Sequence, residues 1–211
     1  MIELTGEVPF LWRLCANEDK GSYSVAMVVP GPDDSESFDL TIETGILRLT
    51  ADPDVSGNEE ILEWNQNDLD LFLRLINQRK IGRITDQPDT VRLDLTDPEV
   101  IEIIHIVAAA GFGFPYLPIG VLMDATGEFP RFDAVVGSPA SLNTVSGFKS
   151  CVVVEVAEEE VACVLLDDLP VEGGEGEESL CRNDLLVVDR MDLLHPSFAQ
   201  TEVRPESATI H

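Results

Sequence analysis

The segment from Thr96 to Gly113 constrains the fold more than any other part of the chain. Thr96-Asp97-Pro98-Glu99 has the form of a helix start, a capping box with proline in the first turn. The residues that follow are apolar on nearly every side of a helix as far as Ala110, and Gly111 and Gly113 end it. Such a helix must be covered, so we expect either a central buried helix or a helix in a subunit interface.

A second helix is indicated by apolar residues that recur at the spacing of one buried stripe, namely Leu69, Phe72, Leu73 and Ile76. Asn65 or Asn67 can cap its start, and Gly82 can stop it. Arg79 and Lys80 suit the negative end of the helix dipole.

The rest of the chain has the alternation and turn residues of β-structure. The expected strands are Val8–Leu14, Tyr23–Val29, Phe38–Glu43, Ile46–Thr50, Val91–Leu95, Ile119–Met123, Phe129–Val136, Ser150–Val156, Val161–Leu166 and Leu185–Val188. Hairpins are expected across Thr44-Gly45, across 124–127 and across 157–160, while Ile61–Trp64 is either a short strand or the first turn of a helix.

The order of these elements predicts an α+β fold with β-rich N- and C-terminal parts, mainly antiparallel hairpins, around two central helices. We expect a single α+β domain over residues 1–195, because the apolar helix suggests that both halves share a core. A sub-boundary near 111–118 is the alternative. Residues 196–211 show no periodicity and predict an irregular C-terminal tail.

The charge balance limits the classes of partner. The chain has 40 acidic against 13 basic residues, a net charge of -27 and a pI of about 4.1. Direct binding to nucleic acid or to an anionic membrane is therefore disfavoured, since both need clustered Lys and Arg. The expected partners are basic proteins or nucleic-acid-binding proteins, whose groove the acids could occupy. General solubility or adaptation to strong salt is the alternative explanation.

The sequence predicts a cytoplasmic protein. No apolar run approaches the roughly 18 residues of a membrane span, and Met1–Phe10 lacks the pattern of a signal peptide. We therefore expect Cys15, Cys151, Cys163 and Cys181 to be reduced rather than paired in disulfides. The sequence does not fix the oligomeric state.

Sequence motifs for catalysis are mostly missing. The chain contains no P-loop, no dinucleotide-binding glycine pattern after a strand and no nucleophile elbow. His105 lies on the apolar helix, where a core histidine is expected, and nothing supplies a partner for His195. We predict no catalytic residue and no cofactor.

No metal site is predicted either. Cys151 and Cys163 lie on two strands of one expected hairpin, and Cys181 with His195 would complete four ligands, but packing in the core is favoured because no Cys-x-x-Cys pair exists. Carboxylate pairs occur at Asp52/Asp54, Asp68/Asp70 and Asp167/Asp168, as chance predicts for so acidic a chain.

One stretch resembles a known family. Lys20-Gly21-Ser22-Tyr23-Ser24-Val25, running into Val28-Val29-Pro30, is similar to the opening of some phage single-strand-binding OB-fold proteins. The resemblance implies a platform of aromatic and basic side chains, for which the chain has two Trp, two Tyr and three Lys. Single-strand binding is kept as an alternative function.

Three hypotheses about function follow. The first is a non-enzymatic acidic module that binds a basic protein, in its extreme form a phage- or plasmid-type inhibitor that mimics nucleic-acid charge. The second is a structural or assembly subunit, suggested by the helix at 100–107 and by Phe112, Phe114 and Tyr116. The third is a carboxylate- or metal-dependent enzyme. The acids expected to bind a partner are Asp33, Asp34, Glu36, Glu158, Glu159, Glu160, Asp167, Asp168, Glu172, Glu175, Glu177 and Glu178.

Overall fold

The computed structural model describes residues 2–4, 10–17, 21–30, 40–50, 59–81, 83–84, 91–123, 129, 132–170 and 179–201. The chain divides into two compact units, Met1–Phe114 and Pro115–His211. This division falls inside the segment 111–118. The single domain over residues 1–195 stays a prediction.

The N-terminal unit contains seven strands and two helices in the described residues. They are β1 Ile2–Leu4, β2 Leu11–Ala16, β3 Ser22–Val29, β4 Leu40–Leu49, β5 Glu59–Glu63, α1 Gln66–Arg79, β6 Arg83–Ile84, β7 Val91–Leu93 and α2 Pro98–Phe112. One sheet has the order β4-β3-β2-β5 and the other β1-β7-β6, and all their pairings are antiparallel.

The helix α2 is the central buried helix of this unit, as its sequence predicts. Val100, Ile103 and Ile104 are fully buried, and α2 packs against β3, β4 and α1. Asp97 is the N-cap, with its side chain accepting from the Glu99 N–H at 2.9 Å. The expected capping by Thr96 is wrong, because the Thr96 hydroxyl donates to Asp94 instead.

The helix α1 begins after Asn65, one of the two predicted caps, and ends at Lys80 in the left-handed conformation. Its buried stripe differs from the predicted one. The buried residues are Asp68, Leu71, Phe72, Leu75 and Ile76, whereas Leu69 and Leu73 are only partly buried. Hydrophobic periodicity counts only apolar residues, so it did not predict that Asp68 is buried. The burial of Asp68 depends on its hydrogen bond with the indole of Trp12.

The hairpin predicted across Thr44-Gly45 is wrong, because β4 runs through both residues as one strand. In the register of β3 with β4, three residues of β4, Thr44–Ile46, stand opposite the single residue Val25 of β3. The two extra residues form a β-bulge. Gly45 has φ +71, and the Thr44 hydroxyl donates to the Val25 carbonyl at 2.6 Å. The hydrogen bond of Thr44 and the positive φ of Gly45 thus let the strand continue through a bulge, where the composition predicted a turn.

The C-terminal unit is built on one six-stranded sheet. Its elements are β8 Pro115–Tyr116, β9 Pro139–Thr144, β10 Gly147–Val156, β11 Glu160–Leu165, β12 Leu185–Asp189, a 3₁₀ turn Arg190–Asp192, β13 Leu193–Leu194 and α3 Ser197–Thr201. The order is β13-β9-β10-β11-β12-β8, and only the β12–β8 pairing is parallel among these strands. Leu142, Val153 and Leu186 belong to its core.

Two hairpin predictions in this unit have opposite outcomes. The β10–β11 hairpin around 157–160 is confirmed. The hairpin predicted from 119–123 and 129–136 is wrong for its described residues: Leu122 bridges Thr144 of β9, and 132–136 form no strand. Residues 124–128 and 130–131 lie outside the described residues.

The segment after Pro196 also differs from the irregular tail predicted there. Ser197–Thr201 form α3, with Ala199 buried against β9 and its N–H donating to the Ser141 hydroxyl at 3.2 Å. Residues 202–211 lie outside the described residues. The predicted α+β fold with β-rich, mainly antiparallel parts is confirmed, and none of the described helices is long and apolar enough to cross a bilayer.

Candidate functional site

Three of the predicted partner-binding acids lie together at the turn of the β10–β11 hairpin. The Ala157 N–H donates to the Glu160 carbonyl at 2.9 Å, which closes the turn, and Glu158, Glu159 and Glu160 are all exposed. The Arg190 N–H donates to the Glu159 carbonyl at 2.9 Å, which ties the turn to the end of β12. The acids therefore project from a hydrogen-bonded turn rather than from a free loop.

A fourth acid joins this group. Asp189 is the direct cross-strand partner of Glu160, and it is also exposed. Like charges directly opposite one another in a sheet are destabilising. We call Glu158, Glu159, Glu160 and Asp189 the acidic tip. Sequence reasoning missed Asp189, because only the strand register brings it beside the hairpin.

The acidic tip has no ion pair among the described residues. Arg190 follows Asp189 in the chain, but its guanidinium binds Asp133, with Nη2 3.2 Å from Oδ1. Ion pairs in the N-terminal unit involve Arg13, Arg48 and Arg79. The tip is therefore a local excess of negative charge.

Two further predicted acids are exposed but serve the local backbone. Asp167 Oδ2 accepts from the Ser150 N–H at 2.8 Å, and Asp168 Oδ1 accepts from the Arg182 N–H at 2.9 Å. Each side chain holds a neighbouring loop or strand end, a role that the sequence did not reveal. The other seven predicted acids lie outside the described residues: Asp33, Asp34, Glu36, Glu172, Glu175, Glu177 and Glu178.

The N-terminal unit contains a buried carboxylate that sequence reasoning did not single out by itself. Asp68 is 7% exposed, and its Oδ2 accepts from the Asn65 N–H at 3.0 Å and from Trp12 Nε1 at 3.1 Å. Burial raises the pKa of Asp68 above its ordinary 3.8, while the bonds from Asn65 and Trp12 lower it. Trp12 in turn stacks on Trp64 with ring centroids 4.9 Å apart. Asp68 thus joins the helix cap to the aromatic core.

The two carboxylates of the pair Asp68/Asp70 lie in different environments. Asp68 points inward, whereas Asp70 is exposed and accepts from Gln66 Nε2 at 2.8 Å. Asp52 and Asp54 lie outside the described residues. Within the part of the chain that the structure describes, no group of three or more His, Cys, Asp or Glu side chains could hold a metal ion.

The cysteines are free thiols in different environments. Cys151 and Cys163 are fully buried on the same face of β10 and β11, Cys15 is partly buried and Cys181 is exposed. The hydrogen bond with Cys163 and the burial of the site raise the pKa of the Cys151 thiol well above its ordinary range. A raised pKa disfavours the thiolate that a nucleophile or metal ligand needs.

His195 contacts Ser197 at the start of α3. Its Nδ1 lies 2.8 Å from the Ser197 hydroxyl, and the Ser197 N–H donates to the same nitrogen at 3.3 Å. The imidazole therefore caps the first turn of α3.

An exposed apolar group lies at one end of the C-terminal unit. The Met123 N–H donates to the Asn143 carbonyl at 2.9 Å and the Val145 N–H to the Val121 carbonyl at 3.0 Å, so the loop 117–123 lies along the β9–β10 turn. Leu117, Ile119, Met123 and Val145 are each more than half exposed, Ile119 by 84%. We call these four side chains the apolar loop patch.

Comparison with known proteins gives no guide to function: no protein-family model matches the chain, and no curated protein matches its sequence.

Proposed function

We propose that the protein is a non-enzymatic module that binds a basic protein through its acidic surface, with the acidic tip as the main contact in the described residues. The unpaired charge of the tip, held by a hydrogen-bonded turn, is the observation that supports this function. Because the turn already holds these charges in place, the entropy cost of ordering them on binding is lower. Their like charge also speeds encounter with a cationic surface. In its extreme form the module occupies the groove that a nucleic acid would otherwise fill.

The test begins with a pull-down from a lysate of the native host at low and at high salt, followed by mass spectrometry. A stoichiometric basic partner that is lost at high salt is the expected result, because contacts between exposed charges are screened. Its affinity is then measured by calorimetry. A complex that salt leaves unchanged would count against electrostatic docking.

A matched pair of variants separates the tip from the overall charge. The tip variant carries Glu158→Gln, Glu159→Gln and Glu160→Gln. The control carries Asp94→Asn, Glu99→Gln and Asp70→Asn, three exposed acids of the N-terminal unit that lie outside β5. Each triple change moves the net charge from -27 to -24. At about 0.5 kcal/mol for each lost pair, the tip variant should bind roughly tenfold more weakly, and the control should change little.

The nucleic-acid-mimic form makes a further demand on the partner. If the module occupies a nucleic-acid groove, a short DNA or RNA duplex should compete with it for the partner. Simultaneous binding of duplex and module would leave a basic-protein binder that is not a mimic. Binding of a single-stranded oligonucleotide by the isolated chain would instead support the OB-fold alternative.

The apolar loop patch favours a second candidate, an assembly subunit. Contiguous apolar patches on a protein surface often mark interfaces, and these four exposed side chains lie on one loop and the turn beside it. The helix α2 contributes little to this argument, because most of its apolar residues are buried within the N-terminal unit and Ile101 and Phe112 are partly buried. Light scattering on the wild type and on Ile119→Ser tests the self-association form: a strict monomer at high concentration would remove it.

The metal-dependent enzyme remains the third alternative and has a direct test. Thermal melts with Mg²⁺, Mn²⁺, Ca²⁺ and Zn²⁺ added singly would reveal a specific site as a rise in melting temperature. A rise with one ion would favour this alternative over the binding module.

A further inference from the structure

The strand β5 lies at one edge of the four-stranded sheet in the N-terminal unit. Among the described residues it pairs with β2 alone, in a regular antiparallel register from Leu11↔Glu63 to Cys15↔Glu59. Glu59, Ile61 and Glu63 are exposed. An edge strand of this kind offers unpaired backbone groups to another chain.

The register shows which backbone groups face outward. The Trp64 N–H donates to the Phe10 carbonyl, so Trp64, Leu62 and Glu60 direct their backbone groups toward β2. On the other side of β2, the Asn17 N–H donates to Ser22, which agrees with this alternation. The N–H and C=O groups of Glu59, Ile61 and Glu63 therefore point away from the sheet.

The same three residues share one face of the sheet, since side chains alternate along a strand. Ile61 is 51% exposed between two glutamates. Glu59 lies 4.0 Å from Arg13 Nε, but Arg13 also binds Glu43 at 3.4 Å, so its charge is divided. Glu63 has no ion pair among the described residues.

Pairing of β5 with a second copy of itself is disfavoured. An antiparallel pair centred on Ile61 would place Glu59 directly opposite Glu63 on both sides, and like charges opposite one another are destabilising. The charge pattern thus disfavours pairing of β5 with a second β5 and favours pairing with a strand that carries basic side chains.

We propose that β5 is a β-strand addition site for an extended segment of another protein, in which basic side chains at positions i and i+4 flank an apolar side chain at i+2. Added antiparallel, this segment bonds to the backbone of Glu59, Ile61 and Glu63, places its basic residues opposite the two glutamates and its apolar residue opposite Ile61. The site lies in the N-terminal unit and does not depend on the acidic tip.

Hydrogen exchange measured by NMR tests the geometry. In the free protein the amides of Glu59, Ile61 and Glu63 should exchange faster than those of Glu60 and Leu62. The probe is a synthetic peptide with Lys-Thr-Val-Thr-Lys at its centre, and its addition should slow exchange at the three outward amides. Absence of this protection at saturating peptide would overturn the proposal.

Peptide variants separate strand addition from simple charge attraction. N-methylation of the central Val removes a donor that faces β5, and should weaken binding about fivefold or more. N-methylation of one Thr changes a donor that faces away and should have little effect. Equal affinities of the two methylated peptides would show that the contact is unspecific and refute the site. So would a Lys-Lys-Val-Thr-Thr control that binds as tightly as the original Lys-Thr-Val-Thr-Lys peptide.

Protein variants provide the reciprocal test. Glu59→Gln and Glu63→Gln should each weaken peptide binding by up to about fivefold, and the Lys pair E59K/E63K should prefer a Glu-Thr-Val-Thr-Glu peptide. Ile61→Pro removes an outward donor without loss of a bond to β2, and should abolish binding while the fluorescence of Trp12 and Trp64 remains native.

The acidic-tip variant distinguishes this inference from the proposed function. Its three Gln substitutions should leave peptide binding unchanged. Loss of peptide binding in the tip variant, with no effect of the β5 substitutions, would place the peptide on the tip and overturn strand addition.

Discussion

Replacement of Asp68 by alanine is the sharpest test of how the N-terminal unit is held together. The carboxylate accepts from the Asn65 N–H and from Trp12 Nε1. Without it, the buried indole of Trp12 keeps a donor with no acceptor, at a cost of about 1–3 kcal/mol. Loss of an acid from the first turn of α1 adds about 0.3–1 kcal/mol. We expect Asp68→Ala to lower the free energy of unfolding by about 1–4 kcal/mol, the sum of these two effects.

Urea unfolding followed by tryptophan fluorescence measures this change for the N-terminal unit alone, because both tryptophans, Trp12 and Trp64, lie in it. Asp70→Ala is the matched control, since Asp70 is exposed and its carboxylate accepts from Gln66 in the same turn of the helix. The control should change stability by less than about 0.5 kcal/mol. Equal midpoints for the wild type and Asp68→Ala would refute the reasoning.

The variant Asp68→Asn separates hydrogen bonding from charge. An amide oxygen can accept both bonds, so the loss should stay below about 1 kcal/mol at pH 7. Because burial raises the pKa of Asp68, the folded wild type binds a proton at this group more tightly than the unfolded chain. The stabilisation that comes from this tighter proton binding is full below the ordinary pKa of 3.8 and declines as pH rises through the raised pKa. The wild type should therefore gain relative to Asp68→Asn as pH falls toward 3.8. No change in this difference with pH would contradict the assigned shift.

Three further changes test other parts of the fold. Gly45→Ala should cost about 1–2 kcal/mol in the urea assay, because φ +71 strains a side chain although nothing lies within 4 Å of the added Cβ; an equally stable variant would contradict the bulge. Arg79 Nη2 lies 2.7 Å from Glu102 Oε1, and a double-mutant cycle with Arg79→Ala and Glu102→Gln should give a coupling of about 0.5–1 kcal/mol that decreases with salt. Glu160→Gln should stabilise the C-terminal unit by about 0.2–1 kcal/mol in thermal circular dichroism, because it relieves repulsion from Asp189.

The sequence alone was enough to predict those features of the fold that depend on interactions between residues close together in the chain. The polar residues and the proline at the start of α2 are local signals, so the position of the helix was predictable even though its N-cap is Asp97 and not Thr96. Its apolar surface required burial. The β10–β11 hairpin was predictable for the same reason, since its turn lies between two apolar strands. Three acids of the acidic tip were therefore identified as exposed without knowledge of the fold.

Only the tertiary structure decided what depends on residues distant in the chain. Asp189 joins the tip through the register of β11 with β12, and Asp68 is buried because Trp12, 56 positions away, needs an acceptor. Thr44 continues a strand because a carbonyl of β3 lies within reach of its hydroxyl. The outward direction of the β5 backbone likewise follows from pairing with β2. Propensity and periodicity describe a residue and its near neighbours, whereas each of these features is a contact that exists only when the strands and helices have packed.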